Sequence, residues 1–182
     1  MKIRPQYAVP LAVSAVLLTA CSESAQELGY GEKATGEDID VTVLRVEAGT
    51  PEDLAALEDA SRYAGRTPYY LHYRVTKNKD GAVKSPGFDV GDGKKRLTRL
   101  NIMPGFPTPT VGPDGEFTYA DPPKFDKCTD DDSSEEFEKA AKGASYEACS
   151  IYLTDEGDGA APSEVKWVEG DRREEKDIAV WK

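Results

Sequence analysis

Apolar and polar residues alternate in several short stretches of this 182-residue chain, and each stretch has the length of a β-strand. The clearest stretch spans residues 67–78, where every second residue from Tyr69 to Val75 is apolar or aromatic and lies on one face. The opposite face carries Tyr70 and His72 among polar residues. This pattern is typical of a strand with one buried face and one wetter face.

A second strand is predicted from Ile39, but its alternation changes parity at Val43 and Leu44, which indicates a β-bulge. Two short helices are expected in connections, one capped by Thr50 and one capped by Ser133. Six further strands, separated by turn-forming residues, are predicted at 82–90, 96–102, 116–120, 146–153, 165–167 and 178–180. Seven or eight short strands without strand–helix–strand alternation predict an all-β protein with an antiparallel β-sandwich.

Residues 103–115 interrupt this pattern with four prolines and three glycines. Because proline lacks the N–H that a central strand needs, we expect a long ordered loop or a crossover at a sheet edge here. Long loops on rigid sandwiches often carry recognition residues. Phe106, within this loop, is therefore a candidate contact residue.

The first 21 residues have the pattern of a bacterial lipoprotein signal. A basic start and an apolar segment of 11 residues, 8–18, precede the sequence LTAC, a lipobox that ends at Cys21. The segment is too short to span a bilayer, which needs about 20 residues. We predict a signal peptide at 1–20 and attachment to the extracytoplasmic face of the cell membrane through lipid on Cys21. The alternative is an ordinary secretory signal with a chance cysteine.

Composition changes this picture in two ways. Residues 22–37 are polar without an apolar period, so we predict a lipidated cysteine and flexible tether at 21–37 and a folded domain at 38–182. The formal net charge of −11 argues against nucleic-acid binding, which requires a basic face. An acidic excess of this size is typical of a solvated domain surface.

Two cysteines remain outside the lipobox, Cys128 and Cys149. Export to an oxidising compartment favours a disulfide between them. The alternative is a metal site, but His72 is the single histidine of the chain, and no CxxC or HxxxH spacing accompanies the pair.

The chain carries no signature of catalysis or of a cofactor. No G-x-S-x-G nucleophile motif is present, and the acidic clusters at 130–132 and 155–159 lack the spacing of a calcium-binding EF-hand loop. A helix cap and a turn explain those clusters. We therefore expect no catalytic residues, no cofactor and no metal site.

Several segments resemble a group of actinobacterial lipoproteins of unknown function. They are the lipobox, the stretches IDVTVLRVEAGTPEDLAAL and TPYYLHYRVTKN, and the ending CSIYL, VKWV and IAVW. Those lipoproteins are similar to the immunoglobulin-like secreted antigens of mycobacteria, and the likeness covers roughly residues 38–182. The resemblance implies an immunoglobulin-like sandwich and a Cys128–Cys149 bridge. It implies no active-site residues, and the 103–115 loop departs from the pattern.

These observations predict a non-enzymatic binding module on the cell surface, held on the membrane by lipid, with a protein or cell-envelope component as partner. Tyr70 and Trp181 are candidate contact residues beside Phe106, because their parity places them opposite the expected core faces. One alternative is an envelope lipoprotein that binds a solute or a metal. Another is a hydrolase of envelope polymer, which would need paired carboxylates in a cleft.

Overall fold

The computed structural model describes residues 24–57, 60–102, 108–120, 125, 127–128, 133–157, 160–170 and 174–182. The signal peptide, the lipidation residue Cys21 and the candidate contact residue Phe106 lie outside the described residues. No helix in the described part of the chain is long and apolar enough to cross a membrane.

Eleven strands lie within the described residues, and they are linked by short helical turns. The strands are β1 (Gln26–Leu28), β2 (Lys33–Thr35), β3 (Ile39–Ala48), β4 (Pro68–Lys77), β5 (Gly87–Gly91), β6 (Thr98–Leu100), β7 (Thr108–Val111), β8 (Phe117–Ala120), β9 (Ser145–Leu153), β10 (Glu164–Glu169) and β11 (Lys176–Trp181). Two 3₁₀ turns, Pro51–Ala56 and Ala60–Tyr63, follow β3, and the α-helix α1 (Ser133–Lys139) precedes β9.

The strands form two larger sheets and a separate hairpin. One sheet has the order β1-β11-β10-β5, the other has the order β2-β3-β4-β9-β6, and β7 pairs with β8 alone. Among the described pairs, only β1 with β11 is parallel. The predicted bulge is confirmed, because the β3–β4 register shifts by one residue between Val43 and Arg45.

The two larger sheets face each other across one apolar core, so the predicted all-β sandwich is confirmed. The Tyr73 ring of one sheet meets the Phe88 ring of the other edge-on, with their centroids 4.7 Å apart. The Tyr152 hydroxyl crosses the same gap and donates to the Phe88 carbonyl at 3.3 Å. Other core residues from both sheets are fully buried, among them Val41, Leu71, Val90, Val165, Trp167 and Trp181.

The flexible tether predicted within residues 21–37 is wrong for residues 26–35. Gln26 to Leu28 run beside the C-terminal strand β11, and Lys33 to Thr35 pair with β3. Ala34 is fully buried in the core, so the folded domain begins well before residue 38. The apolar–polar alternation does not reveal these two strands, because each is only three residues long.

A second apolar cluster covers the outer side of the five-stranded sheet. Its sheet side consists of Tyr70, Cys149, Ile151 and Leu153, and its cover contributes Leu54, Leu57, Tyr63, Phe125 and Cys128. We refer to that cover, namely the two 3₁₀ turns with Phe125, Lys127 and Cys128, as the outer layer. The sandwich is therefore covered on part of a face that the strand pattern alone predicts to be wet.

Lys77 ties the end of α1 to the sheet. Its ammonium group is buried and donates to the carbonyls of Phe137, Glu138 and Ala140 at 2.8–3.1 Å. Phe137 and Glu138 lie in the last turn of the helix and Ala140 follows it, so the ammonium group adds hydrogen bonds at the C-terminal end of α1. The lysine is satisfied within the fold and acts as a structural cap.

Candidate functional site

The hairpin β7–β8 is closed by the local chemistry of its turn. Gly112 N–H donates to Glu116 O at 2.9 Å, and Gly115 N–H donates to Gly112 O at 3.0 Å. Gly115 has a φ of 81°, which a residue with a side chain rarely adopts. Asp114 Oδ1 accepts the Glu116 N–H at 3.3 Å, as in an Asx turn. The sequence GPDGE therefore specifies this turn without help from the sandwich.

One face of the hairpin is apolar and open to solvent. Val111 lies directly opposite Phe117, and Tyr119 follows two residues later on the same face. The exposed fractions are 63% for Val111, 66% for Phe117 and 68% for Tyr119. The other exposed large apolar residues of the described chain, Tyr30 and Ile102, are scattered and reach only 41% and 37%. We refer to Val111, Phe117 and Tyr119 as the hairpin face.

The opposite face of the hairpin is polar and uncharged in its middle. Thr110 and Thr118 lie opposite each other, with their hydroxyl oxygens 2.8 Å apart. The charges of the hairpin lie at its turn, where Asp114 and Glu116 are both exposed. No lysine or arginine occurs between residues 108 and 120. The hairpin therefore presents an exposed apolar surface whose only charged neighbours within the hairpin are carboxylates. Such a surface is more typical of a protein contact than of an ordinary solvated loop.

The predicted disulfide between Cys128 and Cys149 is confirmed. Cys149 lies on β9 and Cys128 lies in the outer layer, with their Cα atoms 5.3 Å apart. Next to the bridge, the ring centroids of Phe125 and Tyr70 lie 6.2 Å apart. The Tyr70 hydroxyl donates to Asp53 Oδ2 at 2.9 Å. The disulfide thus holds the outer layer against the sheet at this point.

Asp53 links the first 3₁₀ turn to this cluster. It accepts the Thr50 N–H at 3.0 Å, which is one half of a capping box between Thr50 and Asp53. That hydrogen bond, with the Tyr70 hydroxyl and the ammonium of Lys127, lowers the pKa of Asp53. Burial and the adjacent carboxylate raise the pKa of Tyr70. Asp53 therefore remains ionised, and Tyr70 remains a hydrogen-bond donor, across the neutral range.

A shallow groove lies beside the disulfide. It has a volume of about 210 Å³, and its lining includes Arg45, His72, Lys127 and Glu147. Its charged residues have partners within the fold. Arg45 and His72 both approach Glu47, at 3.5 and 3.9 Å. Burial first, and then the guanidinium of Arg45, lower the pKa of His72, so its imidazole is uncharged at neutral pH. The groove is polar: Arg45 and Lys127 bring positive charge to its lining, Glu147 brings negative charge, and His72 is neutral.

The structure contradicts the predicted exposure of two contact residues. Tyr70 is only 3% exposed, because the outer layer covers its face of β4. Trp181 is fully buried, and its indole N–H donates to Glu32 O at 3.0 Å. Trp181 shares its face of β11 with Ala179, and both residues belong to the main core, so the core-facing positions of this strand are the opposite of those the sequence predicts. Neither residue offers a contact surface.

The hairpin face was missed from the sequence, although a signal for it is present. Phe117 and Tyr119 alternate with polar residues directly after the turn sequence GPDG, which is a hairpin pattern. The proline content of residues 103–115 favours a loop, but residues 108–111 form β7. The predicted strand at 116–120 is confirmed as β8.

The described residues hold no group of three or more histidine, cysteine, aspartate or glutamate side chains placed to bind a metal ion. His72, the single histidine of the chain, contacts Glu47 and lies beside the disulfide. These contacts account for its position.

Comparison with known proteins adds little to the fold. No protein-family model matches the chain, and no curated protein matches it. A solved structure, described as an uncharacterized beta-sandwich protein from Clostridium difficile 630, is similar at 12% sequence identity and a TM-score of 0.42. The similarity covers 87% of this chain and 94% of that chain. The sandwich assignment rests on the sheets and the core described above.

Proposed function

We propose that this protein is a lipid-anchored, extracytoplasmic binding module without catalytic activity, and that the hairpin face is its contact surface. The observation that carries the proposal is the concentration of exposed apolar area on one small hairpin. The side chains of the hairpin face are each more than 60% exposed, although an exposed strand face could equally carry polar residues. Contiguous apolar surface of this kind marks interaction sites on folded proteins.

The location is supported by the residues that precede the fold. The lipobox ends at Cys21, only five residues before β1 begins at Gln26. Lipidation there would hold the sandwich close to the membrane, with a shorter linker than the sequence pattern suggests. The Cys128–Cys149 disulfide agrees with export, because such bonds persist in oxidising compartments. We also propose, as part of this function, that the chain is a member of the actinobacterial lipoproteins with an immunoglobulin-like sandwich.

A second candidate function is the binding of a small anionic solute in the groove beside the disulfide. Arg45 and Lys127 bring two positive charges to that groove. Two observations weaken this candidate: Arg45 is paired with Glu47, and Lys127 lies 3.7 Å from Asp53. A bound anion would have to compete with both carboxylates.

Affinity capture from intact cells with the tagged, lipidated protein tests the leading proposal. The test variant is the double substitution Phe117→Ser and Tyr119→Ser, and the matched control is Tyr30→Ser, another exposed aromatic residue. We expect the native chain and the control to capture one shared partner, and the double variant to lose it. A partner that survives the double substitution but disappears with Arg45→Ala would favour the groove instead.

A further inference from the structure

We propose that the hairpin binds its partner by β-strand addition along the outer edge of β8, and that the partner is an extended protein segment with alternating apolar residues and flanking lysine or arginine. This inference rests on the proposed function, since it specifies how the hairpin face is used. It differs from a contact of side chains alone, because it requires main-chain hydrogen bonds.

The register of the hairpin determines which main-chain groups point outward. The Gly112–Glu116 hydrogen bond makes that pair a hydrogen-bonded one, and such pairs alternate along an antiparallel ladder. Thr110 and Thr118 therefore face each other through their main-chain groups. Phe117 and Tyr119 belong to the non-hydrogen-bonded pairs, so their N–H and C=O groups point away from β7. Within the described residues, no hydrogen bond reaches these outward groups, and β8 has no second neighbouring strand.

The two edges of the hairpin are not equivalent. On β7, the outward positions are Val111 and Pro109, because each lies in a non-hydrogen-bonded pair. Proline has no N–H, so an added strand would find one donor missing at the centre of that edge. Proline on an edge is a known device against unwanted strand pairing. The outer edge of β8 keeps both of its donors and has no such protection.

The side chains agree with the main chain. A strand added beside β8 would place every second side chain next to Phe117 and Tyr119, extending the hairpin face by one strand. A two-stranded hairpin is marginal in stability on its own, and a third strand with an apolar face stabilises it. Free main-chain groups and exposed aromatic rings therefore occur along the same four residues.

Charge selects the partner. The hairpin has Asp114 and Glu116 at its turn and no cation between residues 108 and 120, and the whole chain has a net charge of −11. Lysine or arginine at the ends of an added strand would pair with these carboxylates, whereas an anionic lipid surface would be repelled. A second copy of the chain is also disfavoured. It would bring equal negative charge, and a four-residue strand pair buries far less than the roughly 1,000 Å² of a stable dimer.

Titration of the isotope-labelled protein with the capped peptide KVTVTVK, followed by amide hydrogen exchange, tests the proposal. We expect saturable shifts at Phe117 and Tyr119, and exchange at their amides slowed by about tenfold or more. The same peptide with N-methyl groups at alternate positions keeps its side chains but loses its strand donors, and we expect about tenfold weaker binding. The peptide EVTVTVE, with the charges reversed, should also bind more weakly.

Two variants separate the edge from the side chain. Tyr119→Ser removes the ring and keeps the outward N–H, whereas Tyr119→Pro removes both. Because this N–H points away from β7, the proline variant retains every main-chain hydrogen bond of the hairpin. We expect Tyr119→Pro to weaken peptide binding well beyond Tyr119→Ser.

Four outcomes would overturn the inference. The first is that the N-methylated peptide binds as tightly as KVTVTVK, and the second is that amide exchange at Phe117 and Tyr119 is not slowed at millimolar KVTVTVK. The third is that the protein self-associates and slows this exchange without peptide, and the fourth is that it binds vesicles of anionic phosphatidylglycerol. Failure here is distinct from failure of the proposed function. If cell capture still depends on Phe117 and Tyr119, the contact surface stands and strand addition falls.

Discussion

Tyr70 and Tyr119 both lie on β-strands, but their rings differ in exposure to solvent. Neither ring belongs to the main core. Tyr70 on β4 is covered by the outer layer and is 3% exposed, whereas Tyr119 on β8 is uncovered and 68% exposed. Alternation along a strand determines which face a side chain occupies, but only tertiary packing determines whether that face is covered. We take the uncovered face as the one available for binding.

The largest expected effect is in the core. Trp181→Ala removes a fully buried indole together with its hydrogen bond to Glu32 O. Deleting a buried tryptophan leaves a cavity, so we expect the free energy of unfolding to fall by about 3–5 kcal/mol. Urea denaturation followed by circular dichroism measures this loss. A loss below about 1 kcal/mol would show that Trp181 is accessible, as its sequence parity suggests.

Removing the disulfide should uncover Tyr70. The paired substitution of Cys128 and Cys149 by alanine opens a loop with a sequence separation of 21 residues. We expect a loss of about 3 kcal/mol from the greater freedom of the unfolded chain. We also expect the Tyr70 ring to gain solvent exposure, measured by its reaction with tetranitromethane. An unchanged Tyr70 would mean that the 3₁₀ turns hold the outer layer without the bridge.

A smaller effect concerns acid stability of the outer layer. The pKa of Asp53 is lowered in the folded protein, chiefly by the Thr50 N–H, so the unfolded chain takes up its proton at higher pH. The stabilisation is present above the unfolded pKa near 4 and is lost as pH falls through the lower folded value. Asp53→Asn should cost about 1 kcal/mol at pH 7 and reduce the loss of stability between about pH 5 and pH 2.

Chemical denaturation of the native chain and of Asp53→Asn across this pH range provides the measurement. Glu52→Gln is a matched control, since Glu52 is an exposed neighbour in the same turn. Parallel curves for the native chain and Asp53→Asn would mean that the carboxylate contributes no pH-dependent stability.

The smallest expected change in stability is at the hairpin face. Phe117→Ser and Tyr119→Ser remove side chains that are mostly in water, so each should alter the free energy of unfolding by less than about 0.5 kcal/mol. The contrast with Trp181→Ala sharpens the comparison between covered and uncovered aromatic residues. Thermal unfolding of the three variants side by side tests it. A large loss from either hairpin variant would reveal packing against the rest of the protein.

Local sequence was informative where the cause of the structure is local. The strand 67–78, the bulge at Val43 and Leu44, and the capping by Thr50 and Asp53 all follow from alternation or side-chain chemistry within a few residues. The cysteine pairing follows from the small number of cysteines in a chain whose sequence predicts export.

The errors share a different cause, which is pairing between distant residues. The strands β1 and β2 carry little apolar pattern and are positioned by β11 and β3. The alternation along β4 predicts an exposed Tyr70, because no residue near it in sequence indicates that the outer layer covers this face. The strand β7 was missed because proline argues against a strand, yet Pro109 lies where its missing N–H faces away from β8. The candidate contact surface could therefore be placed near residues 103–115, but its residues could not be identified.

The most direct test of the central claim is site-specific photo-crosslinking in intact cells. A benzophenone amino acid would replace Tyr119 in one variant, Tyr70 in a second and Tyr30 in a third. If the hairpin face is the contact surface, crosslinks to one partner form from position 119, and positions 30 and 70 give none. Equal crosslinking from positions 119 and 30, or crosslinks from position 70 alone, would contradict the account.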